Sequence, residues 1–443
     1  MFIKRSYLKV NMTSFFVESY GSWQSLAQAE RINGLLQQAR FNQSFDLEST
    51  DITIISLTQV TLSLEEELYE KLDLIKKKFP HQLVIIVGCF PHHHREKLKL
   101  YPLISSHQIH RIVEVVEERL SRNIIKVIER NELPALDLPK VRQNKIIEII
   151  PITLGCVSDC IWCSERKITG EIQSYPQDEI VGVAQKAINQ GVKELLLSSH
   201  DAAAYGKDLN LTLVDLLSSL ISLPGEFQIL IERVYPVSVS NLLSFQDQLA
   251  TIFQHSKMFQ FLSLPIFATS NNILQQMSLT YSIEDLISFL KYFRSAIPNL
   301  TISTNIITGF PAESQEEFWQ TLEFMRKINP DITKMSIFTT PSKSPLAKLP
   351  SLEATEKQRR YKVLADVAHN TSILQNERWK NWQGTIIIDQ QGEIPGEWIG
   401  HNQSYKPIII KGNFKLGNIV SVKVMKTTDT IIQAEVIRIL PEL

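Results

Sequence analysis

Two hydrophobic periods alternate along the first part of this chain. "SFFVESYG" (14–21), "DITIISL" (51–57) and "QLVIIVGCF" (82–90) are apolar runs of strand length. Between them, "SLAQAERINGLLQQARF" (25–41) and "LEEELYEKLDLIKKKF" (64–79) place apolar residues at helical spacing. Strand–helix–strand alternation predicts a doubly wound α/β domain on a parallel sheet over residues 1–135. The prolines and charges of "NELPALDLPKVRQNK" (131–145) predict a linker after it.

The pattern resumes over residues 140–380. Strands are predicted at 146–154, 193–199, 227–234, 259–266, 300–310 and 334–340, separated by helical stretches such as "PQDEIVGVAQKAINQG" and "SQEEFWQTLEFMRKI". Six strands with intervening helices predict a partial (β/α) barrel. Chemistry in such barrels sits at the carboxyl ends of the strands. From residue 384 to 443 the period shortens to two. "GTIIID", "KPIIIKG", "NIVSVKV" and "TIIQAEVIRI" follow one another with no helix between, which predicts a small antiparallel β-barrel or sandwich. The fold class is therefore α/β with a small all-β domain at the carboxyl end.

Composition narrows the functional classes. The 443 residues fit about three domains. A net charge of −1 provides no global field toward nucleic acid or anionic lipid, so RNA binding has to come from local patches. Apolar stretches such as "LVIIVGCF" fall short of the ~20 residues that span a bilayer. The start lacks an apolar region followed by a small-residue cleavage site, so no secretory signal is expected, and Met12 is a candidate start with residues 1–11 as an extension. Only four cysteines are present, three of them in "LGCVSDCIWCSER" (154–166), as suits a reducing interior where thiolates hold metal. A cytoplasmic protein is expected.

Cys156, Cys160 and Cys163 are too few for a disulfide framework or for a closed tetrahedral zinc site. Three thiolates on a four-iron cubane leave one iron open, which is what catalysis requires. The alternative is a zinc knuckle that borrows a histidine, the nearest downstream being His200. The Cys-x3-Cys-x2-Cys spacing after the first strand of a βα series resembles the mark of the radical S-adenosylmethionine (SAM) superfamily.

The likeness extends further. "IIEIIPITLGCVSDCIWCSERKITGEIQSYPQDEIV", "KELLLSSHDAAAYGKD", "LTISTNIITGFPAESQEEF" and "GEWIGHNQSYKPIIIKGNFKLGNIVSVKV" together resemble the methylthiotransferase family. The similarity is to its archaeal and eukaryotic branch, which acts on N6-threonylcarbamoyladenosine beside the tRNA anticodon. The resemblance implies an N-terminal α/β domain, a radical SAM partial barrel and a C-terminal TRAM-like β domain that binds tRNA. It implies that Cys156, Cys160 and Cys163 hold a [4Fe-4S] cluster whose open iron takes S-adenosylmethionine, reductively cleaved to a 5′-deoxyadenosyl radical. A reductant such as a flavodoxin or ferredoxin is the implied electron source. Trp162 is expected near the cofactor adenine, Ser199 and Asp201 near its methionine moiety, and Arg233, Asn305 and Gly309 at later strand ends lining the same pocket. No residue is assigned as a catalytic acid or base, because carbon 2 of adenine is unactivated and calls for a radical.

This chain departs from the family at several positions. Its relatives give three N-terminal cysteines to a second cluster that handles the inserted sulfur. Here those positions read Ser22, Thr58 and Cys89, so no second cluster is expected. Cys89 with His92, His93 and His94 is either a mixed metal site or a strand-end cysteine followed by a solvated loop. "LPIFATS" (264–270) replaces a polar, glycine-bearing turn, Leu279 stands for an arginine, Asn305 for an aspartate, and "TTPSKSPLA" for an arginine- and glycine-bearing turn. Two alternatives to methylthiolation follow: radical chemistry without sulfur insertion, and a non-catalytic tRNA-binding module.

Candidate RNA contacts are Arg359, Arg360 and Lys362 in "EKQRRYKVLADV", and Lys406, Lys411, Lys415, Lys423 and Lys426 in the last segment. Residues 384–443 hold six Lys/Arg and six Asp/Glu, so contact requires the lysines to share one face.

Overall fold

A computed structural model of the protein describes residues 13–58, 62–88, 98–130, 132–158, 160–161, 163, 169–235, 243–340 and 345–441. The chain forms two compact units. One takes residues up to 143 with 149–157 and 164–183, and the other takes 144–148, 158–163 and 184–443.

In the first unit, β1 (Ser14–Tyr20), β2 (Asn42–Gln43), β3 (Ile52–Leu57), β4 (Leu83–Gly88), β5 (Leu103–Ser105) and β6 (Lys126–Val127) make a parallel sheet of order β2-β1-β3-β4-β5-β6. Every residue of β3 is buried, as expected of a parallel strand covered on both faces. The α1 helix (Trp23–Gln38) and α2 (Leu62–Lys78) fall where the apolar period predicts them, and α3 (Ile112–Leu120) follows β5. One core gathers Phe15, Ile32, Leu36, Ile54, Ile85 and Val116, and a second gathers Ile55, Leu68, Leu72 and Ile86. Short β8 (Thr153–Leu154) and β9 (Gln173–Ser174) pair antiparallel in this unit.

The six predicted barrel strands are all present, each within a few residues of its expected span. They are β7 (Ile147–Pro151), β10 (Glu194–Ser198), β11 (Gln228–Ile231), β12 (Phe261–Ser263), β13 (Thr301–Thr308) and β14 (Ile332–Ile337), in two sheets of order β11-β10-β7 and β12-β13-β14. A parallel bridge between Ile229 and Met258 and a bond from Val234 N–H to Ser263 O (2.9 Å) join the edges of the two sheets. Between the strands run α4 (Gln177–Asn189), α5 (Leu213–Ile221), α6 (Gln246–Phe253), α7 (Asn271–Gln276), α8 (Ile283–Ala296) and α9 (Gln315–Ile328), and α10 (Ala354–Glu377) follows β14. Capping boxes start α5 (Thr212 with Asp215) and α9 (Ser314 with Glu317), so these helix starts are written in the sequence.

The last segment closes on itself. Strands β15 (Gln383–Gln391), β16 (Glu397–His401), β17 (Pro407–Lys411), β18 (Ile419–Thr427) and β19 (Ile432–Ile439) form a barrel of order β15-β16-β17-β19-β18. Four of the five were predicted. The fifth, β16, lacks the apolar–polar alternation of its neighbours. Closure removes the open sheet edge and resolves the earlier choice between barrel and sandwich.

A buried network ties this barrel to the strands β10 and β12. Gln260 N–H donates to Gln403 O at 2.7 Å, and the Tyr405 ring lies edge-on to Phe259 and Phe261. Beneath them Glu194 and Asp389 are both buried, Asp389 touches His401 Nδ1, and His401 stacks on Tyr405 at 4.2 Å. Glu194 Oε1 and Asp389 Oδ1 each lack a hydrogen-bond donor, a need that one proton held between the carboxyls meets. Burial and then the charge of Asp389 push the Glu194 carboxyl well above its ordinary 4.5.

Folding therefore takes up a proton at Glu194. The associated stability is complete below the unfolded value near 4.5 and is lost as pH rises through the raised folded value. Glu194→Gln should melt higher than the parent at pH 8 and show no such gain below pH 4, with a flatter pH profile between. Thermal unfolding across that range measures it.

Candidate cofactor and nucleic-acid site

The N-terminal positions that read Ser22 and Thr58 come together in space. Ser22 sits at the N-cap of α1 and accepts from Ser25 N–H, and its Oγ lies 2.6 Å from Thr58 Oγ1. Thr58 is buried at the end of β3, where its hydroxyl meets Ser25 Oγ at 2.8 Å and its N–H donates to the same atom. Gln28 and Ser56 extend this chain of hydrogen bonds inward. The site is thus a closed set of neutral hydroxyls, poor ligands for iron. Cys89 and His92–His94 lie outside the described residues, as does Trp162.

The cysteine loop starts on a glycine turn. Gly155 holds φ +83°, and a Cβ there would lie 2.0 Å from Glu171 O, so only glycine fits. Cys156 follows, buried, with its N–H on Gly170 O at 3.2 Å. In the second unit Cys163 N–H donates to Cys160 O (3.1 Å), forming a tight turn with both cysteines half-buried. Ile161 N–H reaches Met277 O, and the buried Tyr281 lies in the electrostatic field of Cys160. None of these three cysteines is in a disulfide. Among the described residues no three His, Cys, Asp or Glu side chains are gathered closely enough to hold a metal ion. The donor chemistry fits a thiolate-held cluster. Gathering deprotonated, mutually repelling thiolates is work that metal binding itself does.

At the carboxyl ends of β10 and β11 the predicted pocket residues are knitted together. Ser199 is fully buried, and among the described residues its Oγ has no hydrogen-bond partner, an opening for a polar ligand group. Asp201 Oδ1 accepts from Ala203 N–H (3.1 Å) and Tyr235 N–H (3.0 Å), so this carboxylate shapes the turn. Arg233 pairs with Glu232 (3.2 Å), which also accepts from Ser198 Oγ. Glu232 and Ser198 were not singled out in the sequence, though each adjoins a residue that was. Asn305, midway along β13, uses its backbone C=O to accept Phe267 N–H at 2.8 Å.

Gly309 follows β13 with φ +77°, and its N–H donates to Glu313 Oε2 at 3.0 Å. Glu313 is buried and in turn bonded by Arg360 Nη1 at 2.8 Å. Arg360 also caps the carbonyls of Glu313 and Ser314, bonds Glu356, and lies over the Phe318 ring. This corrects the expectation that Arg360 meets RNA: its guanidinium is an internal strut beneath the Gly309 turn. Lys406 is corrected likewise, being buried with Nζ 2.8 Å from Asp331 and 3.1 Å from Asn376. Arg359, Lys411 and Lys415 remain exposed, Arg359 on Glu356 and Lys411 loosely on Glu397 (3.4 Å). Hydrogen bonds from Arg359 and Arg360 hold the Glu356 carboxyl down at about 2.

Comparison with known proteins supplies the class. Residues 150–325 match the Radical SAM superfamily, 384–437 the TRAM domain, and 14–105 the "Uncharacterized protein family UPF0004". The chain carries a radical SAM domain and, at its carboxyl end, a TRAM domain, and the former implies a [4Fe-4S] cluster and S-adenosylmethionine. The Probable threonylcarbamoyladenosine tRNA methylthiotransferase of Pyrococcus abyssi is 29% identical over 92% of this chain and 97% of its own length. Its namesake in Methanothermobacter thermautotrophicus is 26% identical over 95% and 99%. The human Threonylcarbamoyladenosine tRNA methylthiotransferase is 27% identical over 90% of this chain and 69% of its own. Over most of its length the chain is similar to these threonylcarbamoyladenosine tRNA methylthiotransferases. In fold alone it is similar to the cobalamin-dependent S-adenosylmethionine radical enzyme OxsB, with TM-score 0.51 and 11% identity over 81% of this chain and 56% of that one. Among the described residues no helix is long and apolar enough to cross a membrane.

Arg360→Ala would leave Glu313 buried and unpaired, so it should cost ~3–5 kcal/mol in urea unfolding. Arg359→Ala should leave the unfolding midpoint where it is.

Proposed function

We propose that this chain is a tRNA-modifying radical SAM enzyme of the methylthiotransferase type, acting on N6-threonylcarbamoyladenosine beside the anticodon. The observation that carries the reading is the loop of three cysteines outside any disulfide, set shortly after β7, the first of the six strands in the two three-stranded sheets. Cys156, Cys160 and Cys163 would hold the [4Fe-4S] cluster. When bound, that group supplies the electron that cleaves S-adenosylmethionine. The orphaned Ser199 hydroxyl would meet a polar group of the cofactor. Asp201 would keep the turn that carries Tyr235 in place, and Arg233 and Asn305 would line the same pocket. The Arg360–Glu313 pair would hold the Gly309 turn. Arg359, Lys411 and Lys415 would meet phosphate, with a flavodoxin or ferredoxin as the electron source.

One observation favours a second reading, in which the radical acts without sulfur insertion. The Ser22–Thr58 contact closes with hydroxyls the place where the family's second cluster is expected. On that basis the protein holds one cluster.

Nucleoside mass spectrometry of tRNA from cells with and without the gene tests the reading. Disappearance of a 2-methylthio nucleoside on deletion supports methylthiolation, and loss of a different modified nucleoside supports the second reading. No change in any nucleoside overturns both. Anaerobic reconstitution should give about four irons per chain. About eight would overturn the single-cluster assignment.

If Lys411 and Lys415 neutralise phosphates, alanine at each should lower tRNA affinity. It should also flatten the plot of log affinity against log salt by roughly 0.7–0.9 per residue. Filter binding across a salt series reads both quantities.

A further inference from the structure

After β12 the chain turns sharply at Ile266–Phe267, and Phe267 holds φ +66°, a left-handed backbone that a bulky residue rarely adopts. The surroundings impose it. Phe267 N–H donates to Asn305 O and Ile307 N–H to Phe267 O, both at 2.8 Å, so the turn is clamped onto β13. Ala268 N–H closes on Ile266 O at 2.9 Å, and the Tyr281 hydroxyl bonds the same carbonyl. Backbone strain of this kind persists where the structure over-determines it, and it collects at functional sites.

The strained turn delivers a ring. Phe267, nearly buried, stacks on Tyr235 with centroids 5.7 Å apart and planes 27° from parallel. Tyr235 lies beyond the carboxyl end of β11, its N–H held by Asp201, and it is half-buried. The stack thus stands at the carboxyl ends of two adjacent barrel strands, where substrates of such barrels bind. Ser199 and Asp201, the neighbouring groups expected to meet the cofactor, are sealed at 0% and 1% exposure. A base arriving from solvent on a macromolecule meets Tyr235 before it meets them. Single-stranded RNA bases are commonly seated by splaying them onto aromatic side chains.

We propose that Tyr235, backed by Phe267, is the stacking platform for the planar base of the RNA substrate at the mouth of the barrel. The inference rests on the tRNA reading above. Phe267 is a positioning residue: it fixes the plane of Tyr235 from behind.

The test uses the full-length, cluster-loaded protein and an RNA hairpin with 2-aminopurine in its loop. The variants are Tyr235→Ala, Tyr235→Phe and Phe267→Gly, the last able to keep the left-handed turn without strain. Tyr235→Ala should weaken hairpin binding about tenfold, the factor that ~1.4 kcal/mol of lost stacking gives, and should abolish 2-aminopurine quenching. Tyr235→Phe should bind and quench like the parent. Phe267→Gly should lose part of the quenching with its fold intact by circular dichroism. Affinity for S-adenosylmethionine, by equilibrium dialysis, should hold in all three. Unchanged hairpin binding by Tyr235→Ala overturns the platform, and so does a loss that falls on S-adenosylmethionine instead. Tighter hairpin binding by Phe267→Gly would mean that the rings plug the mouth, which also overturns it. A parent chain that takes up no hairpin defeats the tRNA reading itself.

Discussion

One buried carboxylate, Asp331 at the foot of β14, fixes much of the second unit. Its oxygens take Lys406 Nζ at 2.8 Å, Arg294 Nη2 at 3.3 Å and Ile302 N–H at 3.0 Å, while its own C=O accepts from Ser372 Oγ. The carboxylate's partners come from the C-terminal barrel, α8 and β13, so a single anion joins three elements, and the backbone of the same residue adds α10. Burial pulls the affinities of Lys406 and Arg294 for their protons down, and the negative charge of Asp331 pulls them back up. Such a pair adds little net stability against an apolar substitute, but removing one member strands a charge in a dry site. Its effect is on register: the C-terminal barrel meets the radical sheet in one way only.

The same logic recurs beyond the carboxyl end of β13. Arg360 reaches Glu313, Glu313 reaches the N–H of Gly309, and Phe318 lies beneath the guanidinium. A loop after β13 that would otherwise be mobile is thereby held by a charge buried under it. Charged residues in this unit are therefore split between struts and surface. Lys406 and Arg360 are struts, and Lys411, Lys415 and Arg359 lie exposed.

In the first unit apolar cores and a small set of hydroxyls stand side by side. The parallel sheet, its two cores and the turn at the N-terminus of α1 are intact, yet Ser22, Ser25 and Thr58 bond to one another. Hydroxyls satisfied in this way need no metal to complete them. The stability of the unit resides in its apolar strands and helices.

Periodicity alone determined most of the architecture. The alternation of short apolar runs with helical spacing marked the α/β unit, all six barrel strands and four of the five C-terminal strands, since burying one face forces that pattern on the chain. The cysteine loop could be read as a motif because its three thiols lie close in sequence and their spacing is a local property. Side-chain fate was not. Arg360 and Lys406 read as surface cations because a sequence carries no record of Glu313 or Asp331 standing opposite, 47 and 75 residues away. The Phe267–Tyr235 stack was hidden for the same reason: a left-handed φ and a ring 32 positions distant are consequences of β13 gripping the turn. Contacts set by pairs far apart along the chain exist only once the strands have assembled, and that assembly decided which polar and aromatic groups face the site.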